Sequence, residues 1–185
     1  MVIGASTSNL YPALTEDALD TLLQLGFREV EVFLNTESET ETGYVRQLRK
    51  KADLAGARIR SVHPYISGSE PYLLFSAYER RFQDGLHLYE ELFAAAKELG
   101  AQLVVMHGDK LHGVLPVEES VGRFERVYEL GKGYGVTLLQ ENVNRFRSSD
   151  VDYIRAMRAQ LGEKAHFVLD LKQCRRYGAD PLKVA

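Results

Sequence analysis

Only one cysteine, Cys174, stands among 185 residues, and tryptophan is absent altogether. A single thiol cannot close an internal disulfide, so the chain is no disulfide scaffold and suits a reducing compartment, the cytoplasm by default. Proline is scarce at five residues, and no stretch approaches the roughly 18 consecutive apolar residues of a membrane span. Met1 runs into Val2-Ile3-Gly4-Ala5 without a basic leader or a long apolar core, so the expectation is a protein neither exported nor membrane-bound. Excess charge is missing as well. Lysine and arginine number 23 against 26 acidic residues, a net of -3. No global positive field exists to gather nucleic acid or anionic lipid, which excludes large polyanions as partners. What remains is an ordinary globular composition, 45% hydrophobic and 26% charged, over a length that makes one domain, residues 1–185.

Apolar, β-branched runs recur along that length. They are Val2-Ile3, Val30-Glu31-Val32-Phe33, Ile59-Arg60-Ser61-Val62, Leu103-Val104-Val105-Met106, Val136-Thr137-Leu138-Leu139 and Phe167-Val168-Leu169. Between them the apolar positions take helical spacing, as in Ala18, Leu19, Leu22 and Leu23, or Phe82, Leu86, Tyr89, Phe93 and Ala96. Gly26, Gly56, Gly100 and Gly135 follow helical stretches as stop signals, and Thr15, Pro116 and Asp180-Pro181 mark helix starts. The polar run Thr36–Thr42 reads as a solvated loop. Strand, helix, strand, helix implies parallel strands with right-handed crossovers, an α/β fold. No GxGxxG or GxxxxGK[ST] accompanies it, which argues against a doubly wound nucleotide fold. Arithmetic supports a parallel (β/α)8 TIM barrel: six units take about 31 residues each, and eight would need about 247, close to the usual ~250. By this count about six units are present. The last helix, opened by Asp180-Pro181, runs only to Ala185, so the expectation is a barrel incomplete at its C-terminus, whose open strand edges favour a homo-oligomer.

In a parallel barrel the site is built at the C-terminal strand ends. Strands three to six end in Val62-His63-Pro64, Met106-His107-Gly108, Gln140-Glu141-Asn142 and Leu169-Asp170-Leu171. Imidazole nitrogen and carboxylate oxygen in that mixture are ligands for Zn²⁺, Mn²⁺ or Fe²⁺, which makes His63, His107, Glu141 and Asp170 candidate metal ligands. An ion-paired layer capping the barrel core is the alternative, and either reading requires the four to face one another. Basic residues gather on the same loops: Lys110 after strand four, Arg145 and Arg147 after strand five, and Lys172, Arg175 and Arg176 after strand six. Arginine's fork suits phosphate or carboxylate. Asn142, Arg145 and Lys172 are therefore candidate substrate contacts, with Tyr65, Tyr72 and Phe146 available to line a sugar face and His112 within the loop after strand four. Cys174 has no neighbouring histidine and reads as an idle thiol.

These strand ends resemble the xylose isomerase-like TIM barrels, the superfamily of sugar phosphate isomerases and epimerases that also includes endonuclease IV. The resemblance rests on Ile59–His63, Leu103–Gly108, Leu139–Val143 and Val168–Gln173, and spans essentially the whole chain. It implies a divalent metal, Mn²⁺ or Zn²⁺ with Mg²⁺, Co²⁺ or Fe²⁺ as alternatives. In the isomerase and epimerase branch it implies that Glu141 and Asp170 supply two of four ligands, the other two belonging to strands seven and eight. In the endonuclease branch it implies that His63, His107 and Glu141 are ligands. That branch usually carries a histidine three residues after the strand-six aspartate, where this chain has Gln173. The net negative charge and the acidic run Glu37–Glu41 point away from DNA, so the expected substrate is a small-molecule sugar or sugar phosphate. The implied chemistry is proton transfer alpha to a carbonyl, with Glu141, His107 and His63 as catalytic candidates. A non-catalytic barrel with a binding role and a metal-dependent phosphodiesterase are the alternatives.

Overall fold

The computed structural model describes residues 2–184. Six strands occur in chain order: β1 (Ala5–Ser6), β2 (Glu29–Phe33), β3 (Arg58–His63), β4 (Leu103–Met106), β5 (Thr137–Glu141) and β6 (Phe167–Val168). Their order in the sheet is again β1-β2-β3-β4-β5-β6, and the pairs β1–β2, β2–β3, β3–β4 and β5–β6 are parallel. Parallel neighbours in chain order with a helical connection after each strand is the topology of the (β/α) barrel class, here with six βα units. The first strand differs from the sequence reading: it is Ala5–Ser6, leaving Val2 and Ile3 each 70% exposed. The fifth ends at Glu141 and includes Gln140 because that residue, polar but 1% exposed, has its amide hydrogen-bonded inside.

Chain contacts divide the molecule into two compact units. One comprises Met1–Tyr65, Glu91–Val104 and Tyr134–Val136, the other Ile66–Glu90, Val105–Gly133 and Thr137–Ala185. In the first, α1 (Thr15–Gln24) buries Ala18, Leu19 and Leu22, and α2 (Thr42–Leu54) buries Val45, Leu48 and Ala52. That three-to-four spacing turns one apolar stripe of each helix inward. Both pack with each other and on the strands, α1 on β2 and α2 on β3, where Val30, Val32, Ile59 and Val62 are buried. The polar run after β2 is ordered rather than a plain solvated loop. It forms a 3-10 turn, Glu37–Thr40, in which the Glu39 carboxylate accepts hydrogen bonds from Asn35 N at 2.6 Å and Thr15 Oγ1 at 3.1 Å. Thr15, expected as a cap, is already the first residue of α1.

The second unit holds α3 (Glu70–Leu73), α5 (Val117–Gly133), α6 (Val151–Leu161), α7 (Leu171–Tyr177) and α8 (Pro181–Val184). The long helix α4 (Glu79–Leu99) begins in it. Val121, Phe124 and Val127 of α5 and Met157 of α6 are fully buried where these helices pack together, and α5 also covers β5. The loop after β4 is fastened from beneath. Asp109 pairs with Arg147 Nε at 2.8 Å and accepts from Ser120 Oγ at 3.2 Å, and Ser120 Oγ lies 3.1 Å from the Tyr153 hydroxyl. Gly113 closes this turn without a side chain, since a Cβ there would meet the Asp109 carboxylate at 2.3 Å. Burial pushes the Asp109 carboxyl up, while Arg147 opposes the shift.

Burial also pushes the Tyr153 phenol up to about 12. An unfolded tyrosine ionises near 10, so between about pH 10 and 12 the folded chain keeps a proton that the unfolded chain has lost. Stability should therefore fall as pH rises across that window, with Tyr153 contributing up to about 1.4 kcal/mol per pH unit. Urea denaturation at pH 9, 10 and 11 should show a shallower decline for Tyr153→Phe than for the natural chain; parallel curves would refute the assignment.

Candidate active site

The site of the second unit starts from a carboxylate with no access to water. Glu70, the first residue of α3, is 0% exposed. A buried carboxylate is tolerable only with several donors, and here three converge on it. The Tyr89 hydroxyl donates to Oε1 at 2.7 Å, while the backbone N–H groups of His107 and Gly108 donate to Oε2 at 2.9 and 2.7 Å. Consecutive N–H groups can point at one oxygen because Gly108 adopts φ 83°, a left-handed turn that concentrates the amide dipoles. A Cβ there would also strike Gln140 Oε1 at 2.7 Å. The carbonyls of this segment are held from the other side. Gln140 Nε2 donates to His107 O at 2.8 Å, Glu141 O at 2.9 Å and Met106 O at 3.3 Å. The backbone that carries His107 is thus fixed through both its N–H and its C=O.

The His107 side chain meets Glu141, the last residue of β5. Nε2 lies 3.2 Å from Glu141 Oε2, with side-chain exposures of 22% and 10%. Phe146 stands edge-on to the imidazole, ring centroids 5.6 Å apart. A histidine and a carboxylate in contact, mostly screened from water but open at the imidazole, form an acid–base pair or two donors for one ion. Two donors about 2.1 Å from one ion lie about 3.0 Å apart at right angles and about 3.4 Å apart in a tetrahedron. The observed separation fits either.

At the end of β6 the arrangement is a clamp. Asn142 is 5% exposed, and its amide is fully engaged: Nδ2 donates to Asp170 O at 3.0 Å and Cys174 Sγ at 3.1 Å, and Oδ1 accepts from Asp170 N at 2.6 Å. The amide expected to touch substrate instead holds Asp170 in place, because a buried carboxamide must satisfy its hydrogens within the fold. Asp170 caps α7, its Oδ1 accepting from Gln173 N at 3.0 Å. Gln173 Oε1 accepts from Asn144 N at 3.3 Å. Cys174 is buried, and burial pushes its thiol up, against the formation of a nucleophilic thiolate.

Of the basic candidates, Arg145 and Lys172 are exposed, Arg145 with φ 69°. Arg147 differs. It is 9% exposed, paired with Asp109, and donates through Nη2 to the carbonyls of Gly113 and Leu115, so it braces the loop rather than awaiting an anion. In the first unit His63 is the last residue of β3, opposite Phe33 in the β2 register, and its ring stacks on Phe33 with centroids 4.5 Å apart. Leu34 N donates to its carbonyl at 3.0 Å. The second unit therefore brings together His107 with Glu141 and Asn142 with Asp170. Glu70 and Gln140, which hold His107, escaped the sequence reading. Nothing in Ser69-Glu70-Pro71 separates a buried acid from the exposed glutamates elsewhere, and only the 0% exposure and the donors reveal it.

The family model for the xylose isomerase-like TIM barrel matches residues 19–183. No curated protein matches the chain by sequence. Among solved structures, L-ribulose 3-epimerase superposes with a TM-score of 0.77 at 21% identity, over 97% of this chain and 64% of that one. A D-tagatose 3-epimerase-like protein gives 0.80 at 17%, over 98% and 68%. The probable 3-DHS dehydratase involved in petrobactin synthesis from Bacillus anthracis gives 0.76 at 15%, over 100% and 68%. The chain thus spans just under two thirds of the L-ribulose 3-epimerase it resembles, and at such identities these likenesses speak for the fold alone. With strand order, strand-end chemistry and a family match over most of the sequence in agreement, the chain belongs to the xylose isomerase-like TIM barrel family.

Proposed function

We propose that this chain carries the site of a divalent-metal-dependent sugar or sugar-phosphate isomerase or epimerase, acting by proton transfer alpha to a carbonyl. The observation that carries the reading is the His107–Glu141 pair, 3.2 Å apart at the ends of β4 and β5 and held by Glu70 and Gln140. Sugar epimerases among the proteins of like fold support the reaction class.

The donor set suits Mn²⁺ or Zn²⁺, with two imidazole nitrogens and carboxylate oxygens. His107 and Glu141 of the second unit would hold the ion, and with His63 each offers one ligand atom to such a group; Asp170, expected as a ligand from the sequence, is not in that group among the described residues. Bound there, a metal polarises the oxygens of an open-chain sugar. The protein's own groups do the rest. Glu141 accepts the proton from the carbon beside the carbonyl and, in isomerisation, returns it to the adjacent carbon on the same face; epimerisation needs in addition a second acid, on the opposite face, to supply the proton that inverts the carbon. His107 and His63 hydrogen-bond the sugar oxygens when they are not ligands. Arg145 and Lys172, exposed and cationic, contact the substrate. Asn142 contributes by keeping Asp170 in position. The phosphodiesterase alternative gains nothing from the structure, since Gln173 uses its side-chain oxygen on a backbone amide.

Glu141→Gln should abolish both Mn²⁺ binding, read by calorimetry, and the exchange of the substrate's carbon-bound hydrogen for deuterium in D₂O; retention of both would refute the assignment. Glu70 acts through His107, so its substitution separates positioning from packing. Glu70→Ala orphans two amides and a phenol at ~1–3 kcal/mol each, and should weaken Mn²⁺ binding at least tenfold while lowering Tm. Glu70→Gln, which keeps an acceptor for both amides, should restore most of the metal affinity. Equal metal affinity in all three chains would remove Glu70 from the site.

A further inference from the structure

A recess of about 580 Å³ opens in the second unit beside the loop that follows β4, and its lining includes the apolar Tyr72, Tyr78 and Val114 and the basic Arg81, Lys110 and His112. Its apolar wall is unusually open to water. Tyr72 is 58% exposed, Tyr78 56% and Val114 76%. An exposed ring in a concave site, such as Tyr78, is a surface on which the C–H face of a sugar or another flat apolar body packs. Its polar wall is cationic without compensation. Among the described residues Arg81, Lys110 and His112 have no carboxylate partner, and no hydrogen bond engages the Arg81 guanidinium. The single acid in the lining, Asp109, is 3% exposed and already paired with Arg147. The recess therefore offers positive charge and no negative charge to a ligand.

Arg81 is pre-set for the task. Its guanidinium lies over the Tyr72 ring, 3.9 Å from the centroid, and 5.8 Å from that of Tyr78. A guanidinium held face-on by an aromatic ring keeps its N–H edge free, and that edge matches the two oxygens of a carboxylate or phosphate. Lys110 lies three residues beyond His107 on the loop that Asp109 and Arg147 fasten. Given the proposed function, on which this step rests, we infer that the recess is the subsite for the acidic group of the substrate, and that the sugar is an acidic or phosphorylated one rather than a neutral one. Tyr78 holds its body, and Arg81, seated on Tyr72, and Lys110 hold its anion.

Calorimetric titration of the full chain at low salt, with and without Mn²⁺, tests this with glucose, glucuronate and glucose 6-phosphate as probes. At least one anionic sugar should bind tenfold or more tightly than glucose, and which one does so identifies the group as carboxylate or phosphate. Arg81→Leu and Lys110→Met should each reduce that preference to threefold or less while leaving the Mn²⁺ affinity unchanged. Equal binding of all three sugars by the natural chain, or a tenfold preference that survives both substitutions, would overturn the inference. Failure of the metal reading is distinguishable. A chain that discriminates anionic from neutral sugar without binding Mn²⁺ keeps the subsite and loses the metal site, and the reverse result loses the subsite alone.

Discussion

The candidate site depends on one buried negative charge. Glu70 sits where water cannot reach it, and a phenol and two successive backbone amides supply hydrogen bonds that make such a burial tolerable. The dependence is mutual. The amides of His107 and Gly108 lie past the last residue of β4, where the ladder no longer supplies an acceptor, and without the carboxylate they would be buried donors with nothing to bond. The imidazole that touches Glu141 is attached to the very residue whose amide this carboxylate fixes, so the geometry of the reactive pair follows from an interaction that neither member makes with its own side chain. Such outer contacts set the orientation of functional histidines as much as their immediate neighbours do.

Carboxamides do the complementary work. Gln140 holds the carbonyls of the β4 end and of its own neighbour, and Asn142 grips the backbone of Asp170 through both its hydrogens and its oxygen. On either side of Glu141, then, stands an amide whose hydrogen-bonding capacity is used inside the fold. A neutral amide can saturate itself with backbone partners at little electrostatic cost, whereas a carboxylate in the same place would add a second buried charge beside Glu141. The alternation Gln140-Glu141-Asn142 places the acid that meets His107 between two braces.

Much of this was legible in the sequence. Strand and helix order and the barrel class follow from periodicity and punctuation, because burial of alternate faces writes itself into apolar spacing, and so do His63 and Glu141 as the last residues of β3 and β5, whereas β4 and β6 stop at Met106 and Val168, before His107 and Asp170. The first strand was misplaced, since Val2 and Ile3 look like strand residues yet lie outside β1. Roles were harder than positions. Asn142 looks like any polar residue next to a carboxylate, and its engagement with a backbone 28 residues away is a tertiary fact. Arg147 and Arg145 are two positions apart, yet one is a buried brace and the other an exposed cation, and only packing separates them. Glu70 and Arg81 sit among other acidic and basic residues that are ordinary surface groups, so nothing local marks them out.

The fastening of the loop after β4 bears on how a ligand is chosen. Residues 109–115 are tied by an ion pair with almost no exposure, by two carbonyl contacts to Arg147 and by a turn at Gly113 that admits no side chain. Swinging this segment outward would strip water-inaccessible charges of each other, a cost of several kcal/mol. The wall it forms therefore does not adapt to what enters. Selection by such a wall works through exclusion: a molecule of the wrong outline is rejected at first encounter, and one of the right outline binds with little loss of chain entropy because the mould is already set.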